Sequence, residues 1–269
     1  PTIVNFRWSP TESYVSTWSF LIFSISVYVI SAVFLHISLS LLRRLRPGLR
    51  VPLGPIPALH SLVTALASAV IFLGTLLSAA EEINETRWLW HRMGTSTPIH
   101  WLLCFPLGTR PAGRVFFWSN AYYLSRFILH LPRTYFTILK RGRLTFFTLF
   151  NQSILLFTSF LWLEFSQSFQ VVAILLTTLL YAVVYGYRFW TALGLPRARF
   201  PFVINCQVVV LVCNLVCHLG VLGFHLLTGG CNGIGAWGFN SVLNGVLLLL
   251  VGKFYVEKMQ LFLRGKKED

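Results

Sequence analysis

Charge is what this sequence has least of. Only 11% of its 269 residues are charged and eight are acidic, against about 25% charged in a soluble domain. No polar stretch exceeds about 35 residues, which leaves no room for a soluble domain with its own core. No basic n-region and cleavage site precede the first apolar run, so that run reads as a span rather than a signal peptide, although the sequence opens on Pro1 and not on Met. There is no internal repeat and no symmetric pair of Gly- or Pro-broken apolar segments, which argues against a transporter. The histidines are scattered, none in metal-ligand spacing with another ligand type, so no metal is expected. What is present is apolar: 55% of residues are hydrophobic and the mean hydropathy is +0.69. The chain therefore reads as one all-α integral membrane domain over 1–269.

Seven candidate spans follow, each near the ~20 residues a bilayer requires. They run over about 18–42, 57–79, 115–139, 144–163, 169–190, 202–226 and 234–256. The third is the most polar. It holds Arg126, His130, Pro132 and Arg133, so that face must point into protein or water rather than lipid.

The formal net charge of +14 does not point to nucleic acid, because the basic residues sit at the ends of the apolar runs. One set of connections carries Arg43, Arg44, Arg46 and Arg50, then Lys140, Arg141 and Arg143, then Arg188, Arg197 and Arg199, and finally Lys258, Arg264, Lys266 and Lys267. The other carries Glu12, Glu81, Glu82, Glu85 and Glu164. The positive-inside rule then predicts a lumenal N-terminus and a cytosolic C-terminus. Asn84-Glu85-Thr86 is a glycosylation sequon on the predicted lumenal side. The C-terminal Lys266-Lys267-Glu268-Asp269 matches a cytosolic dilysine retrieval signal, or else is an ordinary solvated tail. Cys206, Cys213 and Cys217 fall inside the sixth span, where cysteine behaves as a small apolar residue. Cys104 and Cys231 fall in lumenal loops and either pair as a disulfide or stand as two free thiols.

The fourth span opens on "LTFFTLFNQS", in which Thr148, Asn151 and Gln152 interrupt an apolar run. Polar groups at membrane depth are costly and mark an interior site. Around this cluster, "FFWSNAYYLSRF", "TFFTLFNQSILLFTSFLWLEFSQS", "LYAVVYGYRFW", "NCQVVVL" and "GGCNGIGAW" succeed one another at the spacing of the ELO family of fatty-acid elongases. The chain resembles the divergent plant branch labelled elongation of fatty acids protein 3-like.

That resemblance implies a multi-pass enzyme of the endoplasmic-reticulum membrane, with six of the seven helices enclosing a tunnel for an acyl chain. It implies condensation of a long-chain acyl-CoA with malonyl-CoA to a 3-oxoacyl-CoA, with no cofactor. It also implies a Cys104–Cys231 disulfide. The other elongation-cycle enzymes or a second copy of the chain are the implied partners, with the bilayer and no nucleic acid.

The departures from the family pattern are chemical. Its H-x-x-H-H box aligns with Thr148, Asn151 and Gln152, and the histidine of the fifth span aligns with Tyr181. The acidic pair of the third span falls near Leu129 and Pro132, and one glutamine of the sixth-span pair survives as Gln207. Imidazole serves as nucleophile or base near neutral pH; Asn and Gln can only hydrogen-bond an oxyanion, and a Thr hydroxyl needs a base beside it. The expected catalytic set is therefore Thr148, Asn151, Gln152 and Tyr181, with His130 as the candidate replacement base. Arg126 and His130 are four residues apart and share a helix face. Cys213, Cys217, Asn214 and His218 form a second such stripe, with packing as its plainer reading. Arg126, Arg188, Lys140, Arg141, Arg143, Gln207 and Tyr185 are the expected substrate contacts, the cations for CoA phosphates. The alternative is a catalytically silent paralogue that binds acyl-CoA or lipid, or partners the elongation complex.

Overall fold

The computed structural model describes residues 3–11, 14–46, 52–93, 98–141, 144–194, 201–227 and 229–265. Side chains are described except in 85–93, 98–99, 141, 201–204, 251, 254–255 and 257–265. The long elements are α1 (Trp18–Leu45), α2 (Ile56–Met93), the short α3 (Pro98–Leu103), α4 (Arg114–Ser125), a π-helical turn (Arg126–His130), α5 (Leu131–Arg141), α6 (Phe146–Glu164), α7 (Gln170–Ala192), α8 (Pro201–Leu227) and α9 (Ile234–Gly265). No β-strand occurs among the described residues, only a single bridge between Arg7 and Ala112.

Five helical segments are long and apolar enough to cross a membrane: Trp18–Leu45, Ile56–Asn84, Phe146–Glu164, Gln170–Ala192 and Asn205–Leu227. The protein is thus a multi-pass membrane protein. The third expected span is one continuous helix made of α4, the π turn and α5; it is too polar to qualify on hydropathy. The apolar part of α9, Ile234–Leu250, is shorter than the five.

Each helix is apolar for a different partner. In α1, Leu21, Tyr28, Ala32 and Leu39 are buried, while Ile22, Phe23, Ile30, Phe34 and Ile37 are exposed. An exposed apolar row of that length is a lipid face. The buried face is pinned to α5 by polar contacts, Tyr28 Oη to Thr134 Oγ1 at 2.8 Å and Ser31 Oγ to Tyr135 Oη at 2.6 Å. Arg43 Nη2 then donates to the Leu139 carbonyl at 2.9 Å.

The closest helix pairing is α2 with α7. The buried stripe of α2 reads Ser61, Thr64, Ser68, Ile71, Thr75, Ser78, Ala79. Small side chains at helical spacing let two backbones approach, which is how membrane helices gain dispersion energy when lipid competes equally for apolar surface. The hydroxyls of Ser61 and Thr64 are satisfied by the carbonyls of Pro57 and His60 at 2.8 and 2.7 Å, so they cost no unpaired polar group. Gly74 extends this logic toward α4: a Cβ there would lie 2.1 Å from the Trp118 ring.

One end of the bundle is a knot of three connections. Cys104 is disulfide-bonded to Cys231. Beside it, Asn232 N donates to the Phe105 carbonyl at 2.9 Å, Ser168 N donates to the Asn232 carbonyl at 3.1 Å, and Phe105 N donates to Ser168 Oγ at 2.9 Å. The Asn232 amide donates to the carbonyls of Phe165 (3.0 Å) and Ser166 (3.1 Å). Trp8 closes the same end: its ring is buried against Tyr123 and Phe160, and Nε1 donates to Glu164 Oε2 at 3.0 Å. A buried backbone without regular structure must find partners of this kind.

Gly233 is where the knot is least forgiving. Its φ is +68°, and an added Cβ would lie 2.9 Å from both Gln167 Cα and the Phe165 carbonyl. Gly235, two residues on, has open space where a Cβ would go. Gly233→Ala is expected to cost more than about 1 kcal/mol, and Gly235→Ala to be neutral or to stabilise by up to about 1 kcal/mol. Thermal unfolding of the detergent-solubilised protein separates the two; equal melting temperatures would refute the packing described.

Candidate functional site

The polar interior is built on the π turn. A π turn leaves carbonyls out of the regular helical ladder, and two are taken up by imidazoles. His60 Nε2 donates to the Leu129 carbonyl at 2.8 Å, and His130 Nδ1 donates to the Ser125 carbonyl at 3.2 Å. A carbonyl only accepts, so the neutral His130 ring carries its proton on Nδ1. Nε2 is left with a free lone pair, buried and without a hydrogen-bond partner.

Arg126 opens the same turn and is 2% exposed, as is His130. Its guanidinium donates to Tyr181 Oη at 2.8 Å and to the hydroxyl of Tyr122. Its central carbon lies 4.7 Å from the Tyr122 ring centroid and 4.9 Å from that of Tyr181, so two π faces also share the charge. Nε has no partner. No carboxylate among the described residues forms an ion pair with Arg126; Arg114 pairs with Glu81 elsewhere.

The cluster continues toward the basic end. The His130 ring is 4.6 Å from the ring of Tyr181 and 5.8 Å from that of Tyr185. Arg133 Nη1 donates to Tyr185 Oη at 3.0 Å, and the Arg188 guanidinium lies 5.4 Å from the Tyr185 ring centroid. The structure thus brings together Arg126, His130, Tyr181, Tyr185 and Arg188 from two separate stretches of chain.

It does not bring the T-x-x-N-Q residues to them. Thr145 is the N-cap of α6, accepting from Thr148 N at 3.3 Å, and the two hydroxyls are 2.7 Å apart. Thr148 is spent on the helix start. Asn151 and Gln152 are half-buried one turn on, and no hydrogen bond or ring contact among the described residues joins any of the three to His130 or Tyr181. Lys140 and Gln207 are exposed, and Asn84 is exposed near the end of α2. The side chain of Arg141, and Arg143, Lys266 and Lys267, lie outside the described residues.

His218 is no free base. Its Nδ1 pairs with Ser241 Oγ at 2.8 Å and its Nε2 with Asn244 Nδ2 at 3.0 Å. Cys206, Cys213 and Cys217 are free thiols, half-buried on α8.

Sequence reasoning missed Tyr122, one helical turn before Arg126. The i, i+4 spacing was available as a signal, but a tyrosine inside "NAYYLS" reads as core. It also missed Gln167, Asn240 and Asn244, of which the last two sit four apart on α9.

A model of the ELO family, described as GNS1/SUR4, matches residues 13–268. A curated Arabidopsis thaliana protein named "Fatty acid elongase 3-like" is 62% identical over 257 residues, which cover 95% of this chain and 88% of that protein. No solved structure matches.

A buried cation without a carboxylate is destabilising unless it is used, and an apolar cluster of similar volume would be better by about 1–4 kcal/mol. The triple replacement Arg126→Met, Tyr122→Phe, Tyr181→Phe is accordingly expected to raise the melting temperature. A fall in melting temperature would make Arg126 a structural strut rather than a site.

Proposed function

The chain belongs to the ELO (GNS1/SUR4) family, and from that premise we propose that it condenses a long-chain acyl-CoA with malonyl-CoA to a 3-oxoacyl-CoA in very-long-chain fatty-acid elongation, at a site where His130 replaces the family's histidine box. The observation that carries this reading is the free Nε2 of His130 beside the uncompensated Arg126. The chemistry needs a nucleophile that is neutral and unprotonated, and a positive group for oxygens that become negative.

In the proposed sequence, Nε2 of His130 attacks the thioester carbonyl of acyl-CoA. The C–S bond breaks, CoA leaves as thiolate and takes a proton from solvent, and the acyl group rests on the imidazole. The Ser125 carbonyl keeps the Nδ1 proton in place through both steps, which fixes the ring. Loss of carbon dioxide from malonyl-CoA leaves an electron pair on its α-carbon as an enolate. That carbon attacks the acyl carbon, the C–N bond breaks, and its pair returns to Nε2. Arg126, together with the phenol of Tyr181, supplies hydrogen bonds to the enolate oxygen. In a water-poor interior such preorganised donors act far more strongly than in bulk water.

The remaining assignments follow from charge and position. Arg188 and the basic group Lys140, Arg141 and Arg143 suit the phosphates of CoA. The membrane is that of the endoplasmic reticulum, with seven crossings, a lumenal N-terminus, Asn84 as a lumenal glycan acceptor and Lys266-Lys267 as the retrieval signal. A second reading rests on Thr148: its hydroxyl is committed to the α6 cap, which leaves the aligned histidine-box position without a reactive group. On that reading the chain binds acyl-CoA without condensing it, or partners the other elongation enzymes.

The experiment incubates the purified protein with acyl-CoAs of graded length and labelled malonyl-CoA. Labelled 3-oxoacyl-CoA is expected from the native chain, with at least about a hundredfold loss in His130→Ala, in line with removal of a nucleophile. Product retained in His130→Ala would remove His130 from the site. Acyl-CoA binding with no product from the native chain would establish the silent reading.

A further inference from the structure

Between α6, α7, α8 and α9 lies a cavity with about 40 Å³ open to water-sized centres. A single water needs roughly 10–15 Å³ on that measure, so the space takes about three waters or a short length of alkyl chain with one polar group. Its wall has two kinds of surface. Ile154, Leu155, Leu243 and Leu247 make one side apolar. The other side presents four buried polar atoms with no partner: Trp162 Nε1, Gln167 Nε2, Asn214 Oδ1 and Asn240 Oδ1. Their residues are 9%, 0%, 8% and 2% exposed.

The chemistry of these atoms is specific. Two are donors and two are acceptors, and the acceptors are fixed as such for Asn240, whose Nδ2 already donates to Gln167 Oε1 at 2.5 Å. His218, which also lines the cavity, has both ring nitrogens engaged. No charged side chain lines the space. An anion would meet two carbonyl oxygens, and a cation would meet two N–H groups. A neutral hydroxyl, which donates and accepts at once, satisfies one of each.

The cavity is next to the site described above. Tyr122 forms part of its wall, and the same residue's hydroxyl receives Arg126. Along α7, Thr177 and Ala173 line it, one and two turns from Tyr181. At ~1.5 Å per residue, that places the cavity ~6–12 Å from the Arg126–Tyr181 contact along the helix axis. On the acyl-CoA reading, a long acyl chain with its thioester at His130 is long enough to span that distance.

We infer that this cavity is a binding site for a hydroxyl group carried on the acyl chain, so that the protein prefers hydroxylated long-chain acyl-CoAs to unsubstituted ones. The inference rests on the acyl-CoA reading. A methylene segment entering the cavity would displace ordered water without replacing its hydrogen bonds, which loses affinity. A hydroxyl keeps one donated and one accepted bond. A buried polar atom left unpaired is costly, and sites built to bond a hydroxyl reject the analogue that lacks it far more strongly than apolar pockets reject an added methylene.

The test measures binding of stearoyl-CoA, a mid-chain hydroxystearoyl-CoA and ω-hydroxystearoyl-CoA to the full chain in lipid nanodiscs. At least one hydroxylated ligand is expected to bind about tenfold or more tightly than stearoyl-CoA, the factor that corresponds to one net hydrogen bond. The gap is expected to shrink to about twofold or less in Asn240→Leu and, separately, in Asn214→Leu. Stearoyl-CoA binding at native affinity or better in those variants shows that they are folded. Equal affinity of the three ligands for the native chain means that the cavity holds only water, and overturns the hydroxyl site while leaving the elongase reading intact. A preference that survives both variants also overturns it. No binding of any of the three overturns the acyl-CoA reading itself.

Discussion

Everything in the interior of this protein is arranged around one unbalanced charge. Arg126 lies buried in a membrane helix without an ion pair to a carboxylate among the described residues, held by two phenol oxygens and two aromatic faces. The chain carries only eight acidic residues, and Glu81 is paired with Arg114. Tyrosines solve the problem only partly, because a phenol spreads a positive charge without cancelling it. On the proposed reading, the rest of the cancellation comes from the negative oxygen that develops on the substrate.

The surrounding architecture keeps that charge where it is. The π turn sets Arg126 and His130 on one inward face, and the carbonyls it exposes are held by imidazoles of α2 and of the turn itself. The small-residue stripe of α2 draws α7 close, and α7 carries Tyr181 and Tyr185. One end of the bundle is held by the disulfide and the Asn232 hydrogen bonds.

Helix positions were largely legible from apolar runs, since 18–42, 144–163 and 169–190 lie close to the observed α1, α6 and α7. The third helix is different. Its polar face could be inferred to point inward from Arg126, His130 and Arg133 alone, but a π turn has no sequence signature and changes which side chains share a face. That Arg126, His130, Tyr181 and Tyr185 meet was therefore only partly readable, from helix spacing on the one side and family alignment on the other. The contact of Thr148 with the α6 cap was open to a simpler reading: a Thr just ahead of an apolar run, here Thr145, is an N-cap candidate. Tyr122 escaped because a tyrosine in an apolar helix reads as core despite its spacing to Arg126, and the polar wall of the cavity because its residues come from separate helices and a connection.

On the proposed reading, a reactive group on the π turn rather than at the start of α6 has a physical logic. A helix N-terminus such as that of α6 offers donors and partial positive charge, which suits an anion but supplies no acceptor to orient an imidazole. A π turn in the middle of a helix offers unpaired carbonyls instead. A carbonyl holding Nδ1–H orients an imidazole and leaves its other nitrogen free, which is the state a nucleophile requires. Arg126, four residues away, has an unpaired N–H of its own. On the proposed reading the two act as a pair: the imidazole attacks, and the cation meets the negative oxygen that forms.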